Sequence, residues 1–526
     1  MRNNISLLDC TLRDGGYINN WEFGEQAIYD IGQKIARAGV EYFEIGFLKE
    51  VAYDKNRSVF STNDQIAEMI QPKVPGTTYV GMVDMSKPLD IEKFGPCRED
   101  SIDAIRVIFK KHKIEEAFEY CKKVQELGYK LFVQPVGTDG YTDKEFIDVI
   151  TKFNELSPFA FYIVDTFGVI KRRDFIRWVQ LADHNLCPQV ALGYHSHNNL
   201  QQAFGNAEAM TEQNFKRNIM IDACVFGMGR GAGNLNMEIF AGFLNENFGK
   251  EYRIGPMLEI IDEYLNEIYT RHFWGYSLPF YLSATNQCHP NYANYFAEKG
   301  TLTVKSFNEI LKSIPPKEKA EYSKAVAERV YIEYQENYID DKDTIALLRT
   351  ELSGKNILLI APGKSIIANK KRIEEKMAEE NTVVITLNFI PENIRPDYVF
   401  SCHMRRYKKI KDNKLVKKIV TSNLRTVKNA DYMVNFSSFS GDTPETIDNS
   451  GLMCMKLMIE LGASKICIAG IDGYDINTNS NYVNSGLEFR FSPETIRRKN
   501  EAIKEEIEKV RRKIDLEFIT PSFFAE

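Results

Sequence analysis

Short apolar runs alternate with longer stretches of helical period from residue 5 to about 247. β-Branched and aromatic residues crowd 5–9, 42–47, 77–83, 103–109, 129–135, 159–164, 190–195 and 219–225. Between most of these runs, apolar positions recur at helical spacing over 24–38, 113–127, 142–155, 171–183 and 235–247. Units of one strand and one helix imply parallel strands with helical crossovers, and eight of them close a (β/α)8 barrel. The pattern then changes. Residues 251–350 read as a helical extension and linker, interrupted at Ser283-Ala284-Thr285-Asn286-Gln287-Cys288-His289-Pro290-Asn291-Tyr292. From 356 an α/β pattern restarts, with strands expected at 356–361, 382–387, 397–401, 417–421 and 465–470 and helices at 366–380 and 451–461. That spacing predicts an open, doubly wound sheet. Three parts follow: a barrel over 1–250, a helical part over 251–350 and a nucleotide-binding-like α/β domain over 351–526.

The polar residues fall where a barrel places chemistry. Arg13 and Asp14 follow strand 1, Glu44 lies within strand 2, Asp165 and Thr166 end strand 6, His195 and His197 end strand 7, and Asn234 follows strand 8. These are carboxyl-terminal strand ends. Residues i and i+2 of an extended segment share a side, so His195 and His197 can hold one cation, with Asp14 supplying an oxygen. Satisfied polar residues lining a turn are the plainer alternative. Glu44 sits in the apolar run Tyr42-Phe43-Glu44-Ile45-Gly46-Phe47, where a buried carboxylate needs a partner; support of Arg13 or a structural ion pair both answer that need. Gly227-Met228-Gly229-Arg230-Gly231-Ala232-Gly233-Asn234 reads as a flexible cover loop ending in a ligand, in preference to a dinucleotide turn. In the last part, Pro362-Gly363-Lys364-Ser365 follows the first strand as a natural phosphate cradle. It is not a Walker A loop, because Leu358 stands where that motif needs its first glycine.

A formal net charge of -6 argues against a nonspecific nucleic-acid binder. The basic run Met404-Arg405-Arg406-Tyr407-Lys408-Lys409 could serve a phosphorylated ligand, although a solvated face is the simpler reading. Nine scattered cysteines without a CxxC pair suggest neither a disulfide scaffold nor a cysteine zinc site and fit a reducing cytoplasm. No apolar run approaches a membrane span, and Met1-Arg2-Asn3-Asn4 leads straight into a strand without a signal-peptide core. A homo-oligomer is expected.

Asp9-Cys10-Thr11-Leu12-Arg13-Asp14-Gly15-Gly16, His195-Ser196-His197-Asn198-Asn199 and Gly231-Ala232-Gly233-Asn234 resemble, in that order, the motifs of a metal-dependent lyase and aldolase superfamily. It includes 3-hydroxy-3-methylglutaryl-CoA lyase, isopropylmalate synthase and, most similar here, 4-hydroxy-2-oxovalerate aldolase. The resemblance covers roughly residues 5–315. It implies a divalent metal on Asp14, His195 and His197, with Asn234 as a further candidate, and Arg13 stabilising a pyruvate-type enolate. Mixed N/O ligation suits Mn²⁺ or Mg²⁺, with Zn²⁺ or Co²⁺ not excluded. Where the 4-hydroxy-2-oxovalerate aldolases carry a histidine three residues after the metal aspartate, this chain has Tyr17, a poorer base at neutral pH. His289 is a candidate substitute, a structural turn the plainer reading. The last part resembles bacterial sialyltransferase-like nucleotide-binding domains more loosely, through Ile357–Ser365, Arg395–Phe400 and Leu461–Asp472.

The leading expectation is an aldolase joining or parting a 2-oxo acid enolate and an aldehyde. The appended domain would bind a nucleotide or nucleotide sugar, which suits surface-sugar metabolism. Two alternatives are an acyl-CoA lyase or condensing enzyme on the same barrel, and a carboxyl-terminal glycosyltransferase with the barrel as scaffold.

Overall fold

The computed structural model describes residues 4–476, 480–488 and 491–525. Two compact units divide the chain, Met1–Asn291 and Tyr292–Glu526, so the boundary falls inside the helical part expected over 251–350. In the first unit the eight expected strands form: β1 (Ile5–Asp9), β2 (Tyr42–Leu48), β3 (Thr78–Asp84), β4 (Ala104–Phe109), β5 (Lys130–Pro135), β6 (Ala160–Asp165), β7 (Ala191–Ser196) and β8 (Ile219–Ala223). Each pairs in parallel with the next, and β1 pairs with both β8 and β2, which closes the barrel. Strands covered on both faces have little use for polar positions, which is why β8 reads Ile-Met-Ile-Asp-Ala and is buried throughout. Its one charge, Asp222, therefore needs an internal partner.

The lower barrel is filled by Leu8, Val80, Ala104, Phe132, Tyr162 and Met220. Outside, residues such as Ile31, Phe146, Trp178 and Phe240 pack helices onto the sheet. Helices Glu25–Arg37, Ile114–Glu126, Asp143–Asn154, Arg172–Asn185 and Met237–Phe248 lie where the period predicts them. Helices Asn63–Ile70 and Ala203–Thr211 complete further crossovers.

The second unit contains one parallel sheet. Its strands are β9 (Asn356–Ile360), β10 (Thr382–Leu387), β11 (Tyr398–Ser401), β12 (Lys417–Thr421), β13 (Tyr432–Val434), β14 (Lys465–Ala469) and β15 (Asp515–Phe518). They lie in the order β13-β12-β11-β10-β9-β14-β15. The chain thus starts at β9, winds outward one way through β13, then returns to the other side of β9. Winding reverses between β9 and β14, the position at which such sheets open a crevice. Among the described residues no helix is long and apolar enough to cross a membrane.

Candidate metal centre

After β1 the chain makes a short 3-10 turn, Gly15–Tyr17. Trp21 closes it by donating its indole N–H to the Arg13 carbonyl at 2.8 Å. A Cβ on Gly16 would lie 2.0 Å from that indole, so glycine is required by the packing of the turn itself. The result is a fixed, buried Arg13-Asp14 pair at the top of the barrel.

His195 ends β7. Its Nε2 lies 3.0 Å from Asp14 Oδ2, and His197 Nε2 lies 3.8 Å from the same oxygen. One ligand atom from each of these three residues falls within 4.8 Å of the others. Asn234 pairs across to His197 through a β-bridge. Its Nδ2 donates to the Met228 carbonyl at 3.0 Å, while Oδ1 is buried and has no partner. A Cβ on Gly229 would come within 2.2 Å of that amide nitrogen, so glycine there lets the side chain sit as it does.

The loop carrying Asn234 is tied down. Asn234 N–H donates to the Gly227 carbonyl, Asn198 N–H to Gly233, and Ala232 N–H to Asn199 Oδ1, each at 2.8–2.9 Å. It is a fixed wall, which corrects the expectation of a flexible cover loop.

Beneath these residues runs a closed ring of ion pairs. Arg13 donates to Asp14 at 2.7 Å and to Glu44 at 2.8 Å. Glu44 also accepts from Arg106 at 3.1 Å, Arg106 donates to Asp222, and Asp222 lies 2.9 Å from His195 Nδ1. His195 returns to Asp14. Three carboxylates face two guanidiniums, so with neutral histidines this buried ring carries one net negative charge. A buried uncompensated charge is costly, and a cation among Asp14, His195 and His197 offsets it. Glu44 thus does both things expected of it: it supports Arg13 and it forms a structural ion pair.

The protonation states divide: Asp14 and His197 are ready for a cation, whereas without one His195 holds a proton that itself balances the ring. Burial alone would raise the Asp14 pKa, but Arg13 and the two imidazoles hold it well below the carboxylate range. Burial, with His195 and Arg230 adding to it, drives His197 down to about 3, which keeps its lone pair available to a cation. Burial would also lower His195, but Asp14 and Asp222 on its two nitrogens raise it well above the usual value. A proton on Nε2 is what a cation would replace, while the Nδ1–H to Asp222 contact orients the ring.

Besides Glu44 Oε1 and Asp222 Oδ1 in the ring, three buried atoms on the candidate ligands and Arg13 have no partner: Asp14 Oδ1, Asn234 Oδ1 and Arg13 Nη2. Two are oxygen donors for a cation; the third is a hydrogen-bond donor held beside it. The residues present therefore fit a divalent cation, with Asp14, His195, His197 and Asn234 as its candidate ligands.

Residues 4–250 match the HMGL-like family. They form an HMGL-like domain. The chain is 24% identical over 232 residues to an oxaloacetate decarboxylase of Mycobacterium tuberculosis, covering 44% of this chain and 67% of the relative. It is 26% identical over 274 residues to a 4-hydroxy-2-oxovalerate aldolase of Roseiflexus sp., covering 48% and 73%. Among solved structures, an HMG-CoA lyase of Bacillus subtilis aligns with a TM-score of 0.41 at 16% identity, covering 50% of this chain and 93% of that one. The HMGL-like domain folds as a (β/α)8 barrel with candidate metal-binding residues at its carboxyl-terminal face, and its relatives are named as an aldolase and a decarboxylase.

Tyr17, Arg230 and His289 gather at one side of the site. The Arg230 guanidinium lies 4.7 Å from the centre of the Tyr17 ring and its Nη1 is 3.3 Å from His289 Nε2. Burial raises the Tyr17 pKa above its ordinary value. Burial, with Arg230 and His197, pushes His289 down to about 3. Tyr17 is therefore a hydroxyl donor at neutral pH, and His289 is neutral with Nε2 turned to Arg230.

Gly363, Lys364 and Ser365 are brought together after the end of β9, in the other unit from His195. The donors of this turn are engaged: Asp472 accepts the Ser365 backbone N–H at 2.8 Å and its hydroxyl as well, and Lys364 donates to Ser480. A carboxylate already takes the place that the cradle reading gave to phosphate.

Sequence reasoning passed over Arg106, Asp222 and Arg230. The signal for the first two was the one that singled out Glu44, a charge inside an apolar strand.

Proposed function

We propose that the barrel is a divalent-metal-dependent carbon–carbon lyase that makes or breaks the bond between C3 of a pyruvate-type enolate and an aldehyde carbon. The observation that carries this reading is the unpartnered Arg13 Nη2, buried beside two unpartnered ligand oxygens and fixed by Glu44 through Nε. Asp14, His195, His197 and Asn234 would hold the metal, which would supply Lewis acidity to the keto oxygen of a 2-oxo acid. Mn²⁺ or Mg²⁺ suits this oxygen-rich set.

In the cleavage direction the C3–C4 bond of a 4-hydroxy-2-oxo acid breaks as the 4-hydroxyl gives its proton to a solvent water and becomes the aldehyde, and the proton is restored when C3 takes one from solvent. The electron pair moves into C2–C3, leaving negative charge on the C2 oxygen. Arg13 Nη2 donates to that oxygen, and because the guanidinium is already held on two sides, little reorganisation accompanies the change. Protonation at C3 then yields pyruvate. In this reading Tyr17 would donate its hydroxyl to the aldehyde oxygen, with Arg230 and His289 beside it. Decarboxylation of oxaloacetate would leave the same enolate, so the acceptor wall, not the metal site, separates the two outcomes.

The test is cleavage of 4-hydroxy-2-oxo acids of varied chain length, following pyruvate and aldehyde together in metal-loaded and chelator-treated protein. One aldehyde per pyruvate, lost on chelation and regained with Mn²⁺ or Mg²⁺, supports the reading. Pyruvate release from oxaloacetate alone, or from acyl-CoA substrates alone, overturns it.

A further inference from the structure

The carboxyl ends of β9, β10, β11 and β14 surround a cavity of about 140 Å³ in the second unit. At roughly 10–15 Å³ per water, that is room for about ten water molecules. It lies at the reversal of winding between β9 and β14, independently of the barrel.

The charges on its walls are unevenly satisfied. Asp472 accepts from Ser365, Asp448 accepts the Tyr331 hydroxyl and faces His403 at 3.6 Å, and Glu445 faces Arg498 at 3.6 Å. The lysines are not so matched. Lys299 donates to the Pro444 carbonyl at 3.0 Å and lies over the Tyr331 ring, and Lys499 donates to the Glu445 carbonyl at 3.3 Å and lies over Phe491. Among the described residues neither ammonium forms an ion pair with a carboxylate. Two partly buried ammoniums in one cavity, near Asp448 and Glu445 but in direct ion-pair contact with neither, leave donors that an anion can engage.

The same wall carries the start of helix Ser450–Leu461, twelve residues long and capped by Asn449, whose side chain accepts the Leu452 N–H. Ser450 and Gly451 face the cavity, so the positive end of the helix dipole adds to the ammoniums. Tyr474 also lines the cavity. Burial pulls Lys299 down to about 8, with Lys499 adding to the fall and Asp448 opposing it; a bound anion would reverse that shift.

We propose that this cavity binds a phosphorylated small molecule, with its phosphate or diphosphate group held by Lys299, Lys499 and the start of helix Ser450–Leu461. The anion site is thereby moved from the Gly363-Lys364-Ser365 turn to Lys299, Lys499 and the helix start.

Inorganic pyrophosphate and UDP are the probes, titrated calorimetrically into full-length, metal-free protein, so that chelation at the barrel does not contribute. Lys299→Gln and Lys499→Gln are each expected to weaken binding about tenfold or more, the scale of one charged hydrogen bond. Lys364→Gln is expected to leave it within about threefold. Thermal unfolding of each variant identifies one that fails to fold, and the other lysine then decides the result. Absence of binding by both probes at millimolar concentration overturns the proposal. So does equal affinity in folded lysine variants, or a loss confined to Lys364→Gln.

Discussion

Asp222→Asn tests whether the buried ring serves the metal. One Asp222 oxygen, Oδ2, meets both Arg106 and His195 Nδ1, while Oδ1 has no partner among the described residues. Asparagine keeps the shape and one acceptor oxygen, yet removes a charge. The ring then goes from one net negative charge to neutral. Two costs follow. Arg106 retains Glu44 at 3.1 Å, so the folding loss lies between a charged hydrogen bond, about 1.5–3 kcal/mol, and a fully broken buried pair, about 3–5 kcal/mol. Metal affinity should fall about 10- to 100-fold, the usual scale for the carboxylate behind a metal histidine, or roughly 1.4–2.7 kcal/mol. Calorimetric Mn²⁺ titration of folded Asp222→Asn, with circular dichroism to establish folding, measures the second cost free of the first. Affinity equal to wild type would refute the view that the ring's charge and the orientation of His195 prepare the site.

Other consequences are as direct. Arg230→Ala should raise KM for a 4-hydroxy-2-oxo acid about tenfold or more while leaving pyruvate enolisation within about twofold, measured by steady-state kinetics and proton exchange side by side. Tyr17→Phe should lower the rate of pyruvate addition to the aldehyde about 100-fold, the lower end for a positioned proton donor, with metal affinity unchanged by titration. Asp9 is buried and its pKa is raised to about 7, burial being the main cause. An acid whose folded pKa lies above its unfolded value stabilises fully below about 4 and loses that contribution as pH rises toward 7. Asp9→Asn should therefore flatten the fall in urea stability between pH 4 and 7 relative to wild type, and an unchanged slope would contradict this.

Much of this was legible in the chain because the physics was local. β8 and its neighbours announce themselves as apolar runs, and His195 and His197 announce a shared side by their spacing. Asp14 was legible only beside them. What escaped was non-local. Arg106 and Asp222 each look like an isolated charge until barrel closure sets them against Glu44 and His195. Ser365 looked like an open donor because its partner, Asp472, lies 107 residues on. Three-residue β13 and the charge-bearing edge strand β15, Asp-Leu-Glu-Phe, give too short or too polar a pattern to stand out. Helix Ala203–Thr211 is buried over most of its surface and so lacks a polar face to reveal its period.

The central claim is enolate formation at the metal centre, and the most direct measurement is exchange of the C3 protons of pyruvate into D2O, followed by NMR without a second substrate. The account predicts exchange that requires Mn²⁺ or Mg²⁺ and falls at least about 100-fold in Arg13→Ala, the scale of a lost oxyanion donor, and in Asp14→Ala. Folded, metal-loaded protein that exchanges no faster than buffer, or exchange indifferent to Arg13, would contradict it.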